Sequence, residues 1–188
     1  TFSVEETFPR IRQLHGAVAD LYADKAHGLI KPENIILLPD GLRVTDYGLG
    51  QGIALSALVD AQREAGTAAY LAPEVLNGGA RATSLSDIFS MGVLLSEMLT
   101  NLPWDNEVNL ADRLKTVFER PVQVDRMIDF IEKATASDPG ARFSSVAGFG
   151  TALSELIAHE AAEAAGPTTS QSMPSQKVLL TVQEMPVY

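Results

Sequence analysis

His27-Gly28-Leu29-Ile30-Lys31-Pro32-Glu33-Asn34 lies between two segments of different hydrophobic period. Before it, Phe8, Ile11, Leu14, Val18, Leu21 and Tyr22 recur at helical spacing over roughly residues 5–25, which predicts an amphipathic helix with one buried stripe. After it, Ile35 to Leu38 is a short apolar run, Pro39-Asp40-Gly41 a turn, and Leu42-Arg43-Val44 a second strand, together a small hairpin. Asp46-Tyr47-Gly48 follows at once, so two short polar segments flank the hairpin.

Further out, residues 49–71 combine glycines and small side chains without a sustained period, which predicts a long surface loop with at most a helical turn. From Ser84, read as a helix cap, Leu85, Ile88, Phe89, Val93, Leu94, Leu95, Met98 and Leu99 surround a helix on more than one face, so it should run through the core. Val124, Met127, Ile128 and Ile131 form another helical stripe that ends at Asp138-Pro139-Gly140. Phe143 to Ala165 reads as a last helix, capped by Ser144 or Ser145 and stopped by Gly166-Pro167. Residues 167–177 are polar and low in bulk, a linker, and 178–188 read as a strand or tail whose Val178–Val182 needs a partner edge.

Taken together, these segments resemble the eukaryotic-type Ser/Thr protein kinases in their bacterial style. His27 to Asn34 matches the pattern H-R-D-L-K-P-E-N at five of eight positions, and Asp46-Tyr47-Gly48 stands where the family has Asp-Phe-Gly. Gly66-Thr67-Ala68-Ala69-Tyr70-Leu71-Ala72-Pro73-Glu74 looks like the end of an activation segment. Ser86 to Gly92 resembles the start of the central helix of the C-lobe, and Asp138-Pro139 with Arg142 the segment before its last helix. The resemblance implies a mainly α (α+β) fold over residues 1–166: a kinase-like C-lobe, a helical bundle around a central buried helix with a small β-hairpin.

It also implies roles. Phosphoryl transfer needs the nucleotide's charge held by metal and cation while a positioned carboxylate takes the substrate hydroxyl proton. Carried over from the family, Asp46 and Asn34 are magnesium ligands and Lys31 neutralises the transferring phosphate, a possible nucleotide-binding remnant. The alternative for Asp46 is a turn residue, and for Asn34 and Lys31 a loop-fixing amide and a solvated cation. Leu29 occupies the base position, where an aliphatic side chain cannot accept a proton. Gly28 replaces the arginine that in many relatives pairs with an activation-loop phosphate, so a phosphate on Ser56 or Thr67 lacks its ordering partner. Asp24 is too near the preceding helix to serve as the base. Structural roles are expected for His27, a packed core histidine; for Asp87, an anchor of the catalytic loop; and for Glu74 and Arg142, a partly buried ion pair. Trp104 reads as a surface anchor at a helix end. The family's Gly-rich loop, phosphate-pairing lysine and its glutamate partner are not expected within these residues, so ATP and magnesium enter only if an N-lobe is present.

Composition narrows the partners. The 188 residues, 46% of them hydrophobic, are enough to bury a substantial core. Twenty-four acidic against fourteen basic residues give a net charge of −10, which disfavours nucleic acid and anionic membrane. No cysteine is present, and His15, His27 and His159 have no metal-ligand spacing. No apolar run reaches the ~20 residues that span a bilayer. A cytoplasmic location is the default expected of a kinase-like module without cysteines. The function expected is a catalytically impaired kinase-like (pseudokinase) module that binds a protein partner, with the 178–188 strand as one means. The alternative is a divergent ATP- and magnesium-dependent Ser/Thr kinase whose N-lobe lies outside the chain.

Overall fold

Ser3 starts the first helix, α1 (Val4–Leu21): its Oγ accepts the Glu6 N–H at 3.3 Å while Glu6 Oε2 accepts the Ser3 N–H at 3.0 Å. Two backbone donors are thereby satisfied before the apolar stripe Phe8, Ile11, Leu14 and Val18 begins. The structure is a computed structural model that describes residues 2–21, 26–105 and 108–164. The linker and strand expected at 167–177 and 178–188 lie outside these, as do Tyr22 and Asp24.

Strands β1 (Ile35–Leu38) and β2 (Gly41–Val44) pair antiparallel, with Ile35 opposite Val44 and Leu38 opposite Gly41 across the Pro39-Asp40 turn. Leu42 is buried and joins the core that α1 also lines.

The expected loop at 49–71 is instead largely helical: α2 (Leu49–Gly52) is followed by α3 (Leu55–Glu64). Leu55, Leu58, Val59 and Gln62 do follow helical spacing, but a glutamine ends the stripe and Gly48, Gly52 and Gly66 punctuate it, which hides the period. Helix α3 ends in a Schellman turn. Gly66 takes φ +71°, its N–H donates to Arg63 O at 3.1 Å, and the Thr67 N–H donates to Gln62 O at 2.9 Å. A short helix α4 (Pro73–Leu76) follows, with proline at its first position, where the missing N–H costs nothing.

Helix α5 (Ser84–Thr100) is capped by Thr83 rather than Ser84: Thr83 Oγ1 accepts the Leu85 N–H and Ser86 Oγ accepts the Thr83 N–H at 3.1 Å. It stops at Asn101, left-handed at φ +54°, whose carboxamide takes the Phe2 N–H at 2.8 Å and donates to Phe2 O at 3.0 Å. Helix α6 (Leu110–Leu114), capped by Asn109, was not anticipated from sequence, being little more than one turn. Helices α7 (Pro121–Ala134) and α8 (Val146–Ala164) complete the bundle, the latter capped by Ser145, which takes the Gly148 N–H at 3.0 Å.

One face of α5, Ile88, Met91 and Leu95, packs with α1, α7 and α8 in the main core. The opposite face, Phe89 and Val93, packs with Val59, Leu71, Ala72 and Val75 in a second cluster beneath α3 and α4. A helix with apolar residues on opposite faces is therefore buried on both. Phe130, Phe143 and Phe149 meet at ring centroid distances of 5.0–5.5 Å, and Phe149 is fully buried, an anchor worth roughly 1.5–3 kcal/mol. Gly92 lets α5 approach α7: a Cβ there would stand 2.7 Å from Ala134 Cβ. Trp104 is not a surface anchor; it is half-buried and packs against both apolar clusters.

Candidate functional site

The buried start of α5 organises the catalytic-type loop. Asp87 accepts the His27 N–H at 2.7 Å and the Gly28 N–H at 2.8 Å, one on each carboxylate oxygen. Complete burial pushes its pKa up to about 7, against the two amides, which favour the anion. His27 Nδ1 accepts the Leu29 N–H at 3.2 Å, so Nε2 carries the proton and donates to Thr45 O at 2.9 Å. Burial lowers the pKa of this imidazole, outweighing the Thr45 carbonyl and the nearby Asp46 charge, and the neutral tautomer is the one this bonding requires. Asn34 is also buried, and its Nδ2 donates to Leu29 O at 2.9 Å. His27, Leu29, Asn34 and Asp87 thus form one connected unit.

Leu29 is itself buried, yet belongs to neither apolar cluster. Gly28 has φ +79°, and a Cβ there would lie 3.1 Å from Ala82 Cβ, so the position suits glycine on two counts. Lys31 turns toward the activation-type segment: its Nζ donates to Gln62 Oε1 at 2.8 Å and reaches Thr67 Oγ1 at 3.5 Å. Among the described residues it forms no ion pair. Thr67 is buried and donates to the same Gln62 oxygen at 2.7 Å. As a phosphate acceptor, therefore, Thr67 is closed off while Ser56 is exposed.

Asp46 is exposed and left-handed at φ +63°, a conformation that aspartate tolerates better than most residues and that recurs at functional sites. Its carbonyl accepts the Leu49 N–H at 3.2 Å, so it also serves as a turn residue. Asp46 and Asn34 supply two hard oxygen donors at the same open end of the hairpin, where the Thr45 N–H donates to Asn34 O at 2.9 Å, and no group of three acidic or histidine side chains suited to a metal occurs among the described residues. That donor set fits magnesium only where phosphate oxygens complete the shell, which is how this ion is ordinarily held beside nucleotides.

Glu74 and Arg142 meet in a bidentate pair, Nη1 to Oε1 at 2.9 Å and Nη2 to Oε2 at 2.8 Å. The Arg142 side chain is fully buried, donates to the carbonyls of Ala136 and Leu85 at 2.8 Å each, and sits 5.2 Å from the Phe89 ring centroid. Burial raises the Glu74 pKa, but hydrogen bonds from Arg142, the backbone and Ser86 outweigh it and leave the carboxyl below its ordinary value. Further along α5, Ser90 donates to Tyr70 O at 2.7 Å, and Glu97 accepts the Tyr70 hydroxyl and the Trp104 N–H, both at 2.7 Å. Burial and Glu97 both raise the pKa of Tyr70. Successive polar residues of one buried helix, Asp87, Ser90 and Glu97, therefore bolt down the loop at His27–Gly28, the segment at Tyr70 and the chain after α5. Gln62 and Glu97 carry this site and were not singled out from sequence; helical spacing from Leu55 was the available signal for the first. A cleft of about 460 Å³ between the start of α1, the hairpin and the end of α5 is lined by Leu37, Leu42, Tyr70, Met98 and Pro32.

Residues 2–160 match the protein kinase domain family. The chain belongs to that family. Among the relatives of this kinase-family chain, a probable serine/threonine-protein kinase pknA2 of Bifidobacterium longum is 35% identical over 84% of this chain and 22% of its own length. Serine/threonine-protein kinase PknL of Mycobacterium tuberculosis is 35% identical over 79% of this chain and 39% of its own, and PrkC of Bacillus subtilis 30% over 75% and 23%. The chain thus spans well under half the length of these curated relatives. The fold is shared with the M. tuberculosis PknI kinase domain, with a TM-score of 0.59 at 19% identity over 83% of this chain and 57% of that one. No described helix is long and apolar enough to cross a membrane.

Proposed function

We propose that this kinase-family domain, residues 1–166, serves as a protein-interaction or regulatory module that does not transfer phosphate. The observation that carries the reading is Leu29: a buried aliphatic side chain in the catalytic loop, in a family whose reaction uses a carboxylate to take the substrate proton. The loop around it is held by Asp87 through the His27 and Gly28 N–H groups and by Asn34 through Leu29 O, which supports retained architecture without the base. The apolar cleft beside the hairpin supports a protein partner, and residues 178–188, following a linker at 167–177, are proposed to contribute to its capture.

The test is incorporation of labelled phosphate by the full-length protein with ATP and magnesium, beside its Asp46→Ala variant. Equal background in both is the expected result; incorporation that vanishes with Asp46→Ala would overturn the proposal.

One observation favours a second reading, a divergent Ser/Thr kinase using ATP and magnesium. Asp46 is exposed on a strained left-handed backbone, and positioning and charge stabilisation carry much of phosphoryl transfer even without a base. Stabilisation by millimolar ATP and magnesium in a thermal-shift titration would support nucleotide binding, and its absence would remove this reading.

A further inference from the structure

We infer that the cavity between the end of α5, helix α6 and the end of α7 is a binding site for a small neutral amide, whose carbonyl oxygen accepts from Ser96 Oγ and Trp104 Nε1. The cavity measures about 370 Å³, a size that suits a small molecule, and Ser96 and Trp104 both line it. Ser96 is 1% exposed. Neither its hydroxyl nor the Trp104 indole N–H, both buried atoms, has a hydrogen-bond partner among the described residues.

The same helix shows what a buried hydroxyl ordinarily does there. Ser90 Oγ donates to Ser86 O at 3.1 Å and Thr100 Oγ1 to Ser96 O at 2.8 Å, each one turn back. Ser96 makes no such bond, and a buried polar group without a partner in its own chain is one that a ligand can satisfy. The walls are fixed by bonds that leave these two atoms unused. Glu97 Oε1 accepts the Trp104 backbone N–H at 2.7 Å, Arg113 donates from α6 to Pro103 O, and Leu114 buries α6 in the main core.

Chemistry selects the ligand. An indole N–H only donates, a serine hydroxyl donates as well, and a carbonyl oxygen has two lone pairs to receive them. Arg113 is engaged with Pro103 O, while the carboxylates of Asp105 and Glu132 line the same cavity, so an anion is repelled and the N–H groups of an amide meet acceptors. Val108 and Leu110 add an apolar wall for the body of the molecule. No residue of the His27–Asn34 loop lines the cavity, so the site is independent of whether the domain transfers phosphate.

The test is a titration of the isotope-labelled whole chain with benzamide, followed by nuclear magnetic resonance of the Trp104 indole N–H, the single tryptophan signal. The expected result is a saturable downfield shift with a Kd on the order of 1 mM. Ser96→Ala should weaken benzamide about three- to tenfold, the value of one neutral hydrogen bond, and should leave Tm unchanged or raise it, because the hydroxyl it removes has no partner in the chain. Benzoate, with the same ring and a negative charge, should bind at least about threefold more weakly than benzamide. Absence of a saturable shift, equal affinity in Ser96→Ala, or equal affinity for benzoate overturns the inference. So does a fall in Tm of more than about 3 °C in Ser96→Ala, which would mean that the hydroxyl is already bonded within the fold.

Discussion

Glu74→Ala should be among the most damaging substitutions outside the apolar core. Its partner Arg142 has a fully buried side chain, whereas Glu74 is 19% exposed, so the mutation strands a guanidinium that water cannot reach. The carbonyls of Ala136 and Leu85 still accept from it, but they carry no net charge. Breaking a buried pair from one side costs about 3–5 kcal/mol, and the partial exposure of Glu74 places the expectation at about 3. Ser86 Oγ also loses the Glu74 acceptor at 3.0 Å, which couples the damage to the capping box of α5. For a domain of this size about 3 kcal/mol lowers Tm by roughly 6–12 °C. Urea denaturation followed by Trp104 fluorescence, the single tryptophan, measures the change. Arg142→Met alone should cost less than Glu74→Ala, because it leaves a carboxylate that is 19% exposed and still accepts from Ser86 Oγ, and not a fully buried cation. In the double variant the loss should be smaller than the sum of the singles by at least about 1 kcal/mol. A loss below about 1 kcal/mol in Glu74→Ala, or strict additivity, would refute the buried-pair argument. Acid gives an independent check. The folded Glu74 pKa lies below its unfolded value of 4.5, so the stability it contributes is complete above 4.5 and is lost as pH falls through the folded pKa.

Two further outcomes follow from burial. Gly92→Ala places a methyl 2.7 Å from Ala134 Cβ and 2.9 Å from Thr135 Cγ2, so α5 and α7 must separate; a loss of about 1–3 kcal/mol in urea denaturation is expected, and an unchanged midpoint would contradict the close crossing. Asp87 holds its proton to about pH 7 when folded and releases it near 3.8 when unfolded, so the folded state binds more protons between these values and stability contributed by this group falls as pH rises. His27, with its pKa lowered, acts in the opposite sense near neutrality, so the readout is the difference between wild type and Asp87→Asn across pH 4–8, which should slope; a flat difference would contradict the raised value.

How much was legible in sequence depended on how local the signal was. The order of short motifs from His27 to Arg142 identified the kinase-like fold, the hairpin and the buried helix at Ser84–Thr100, because each is written in residue type and spacing over a few turns. Helix α3 was misread as loop because glutamine occupies a buried position in its stripe, and residue type does not announce burial. Thr67 looked like a modifiable hydroxyl for the same reason. The cap of α5 moved from Ser84 to Thr83, a one-residue ambiguity between two competent side chains that only backbone geometry resolves.

By itself, then, the sequence determined the family resemblance and the absence of a carboxylate at Leu29, since both are properties of the ordered list of residues. Tertiary structure alone decided where Lys31 points, with partners 31 and 36 residues away. It also decided that Gly28 sits at a positive φ against Ala82, which makes glycine a steric fit at that position. Contacts between segments so far apart in the chain follow from how the helices pack around α5, and hydrophobic period, which fixes which face of an element is buried, does not say which polar groups of two buried faces will meet.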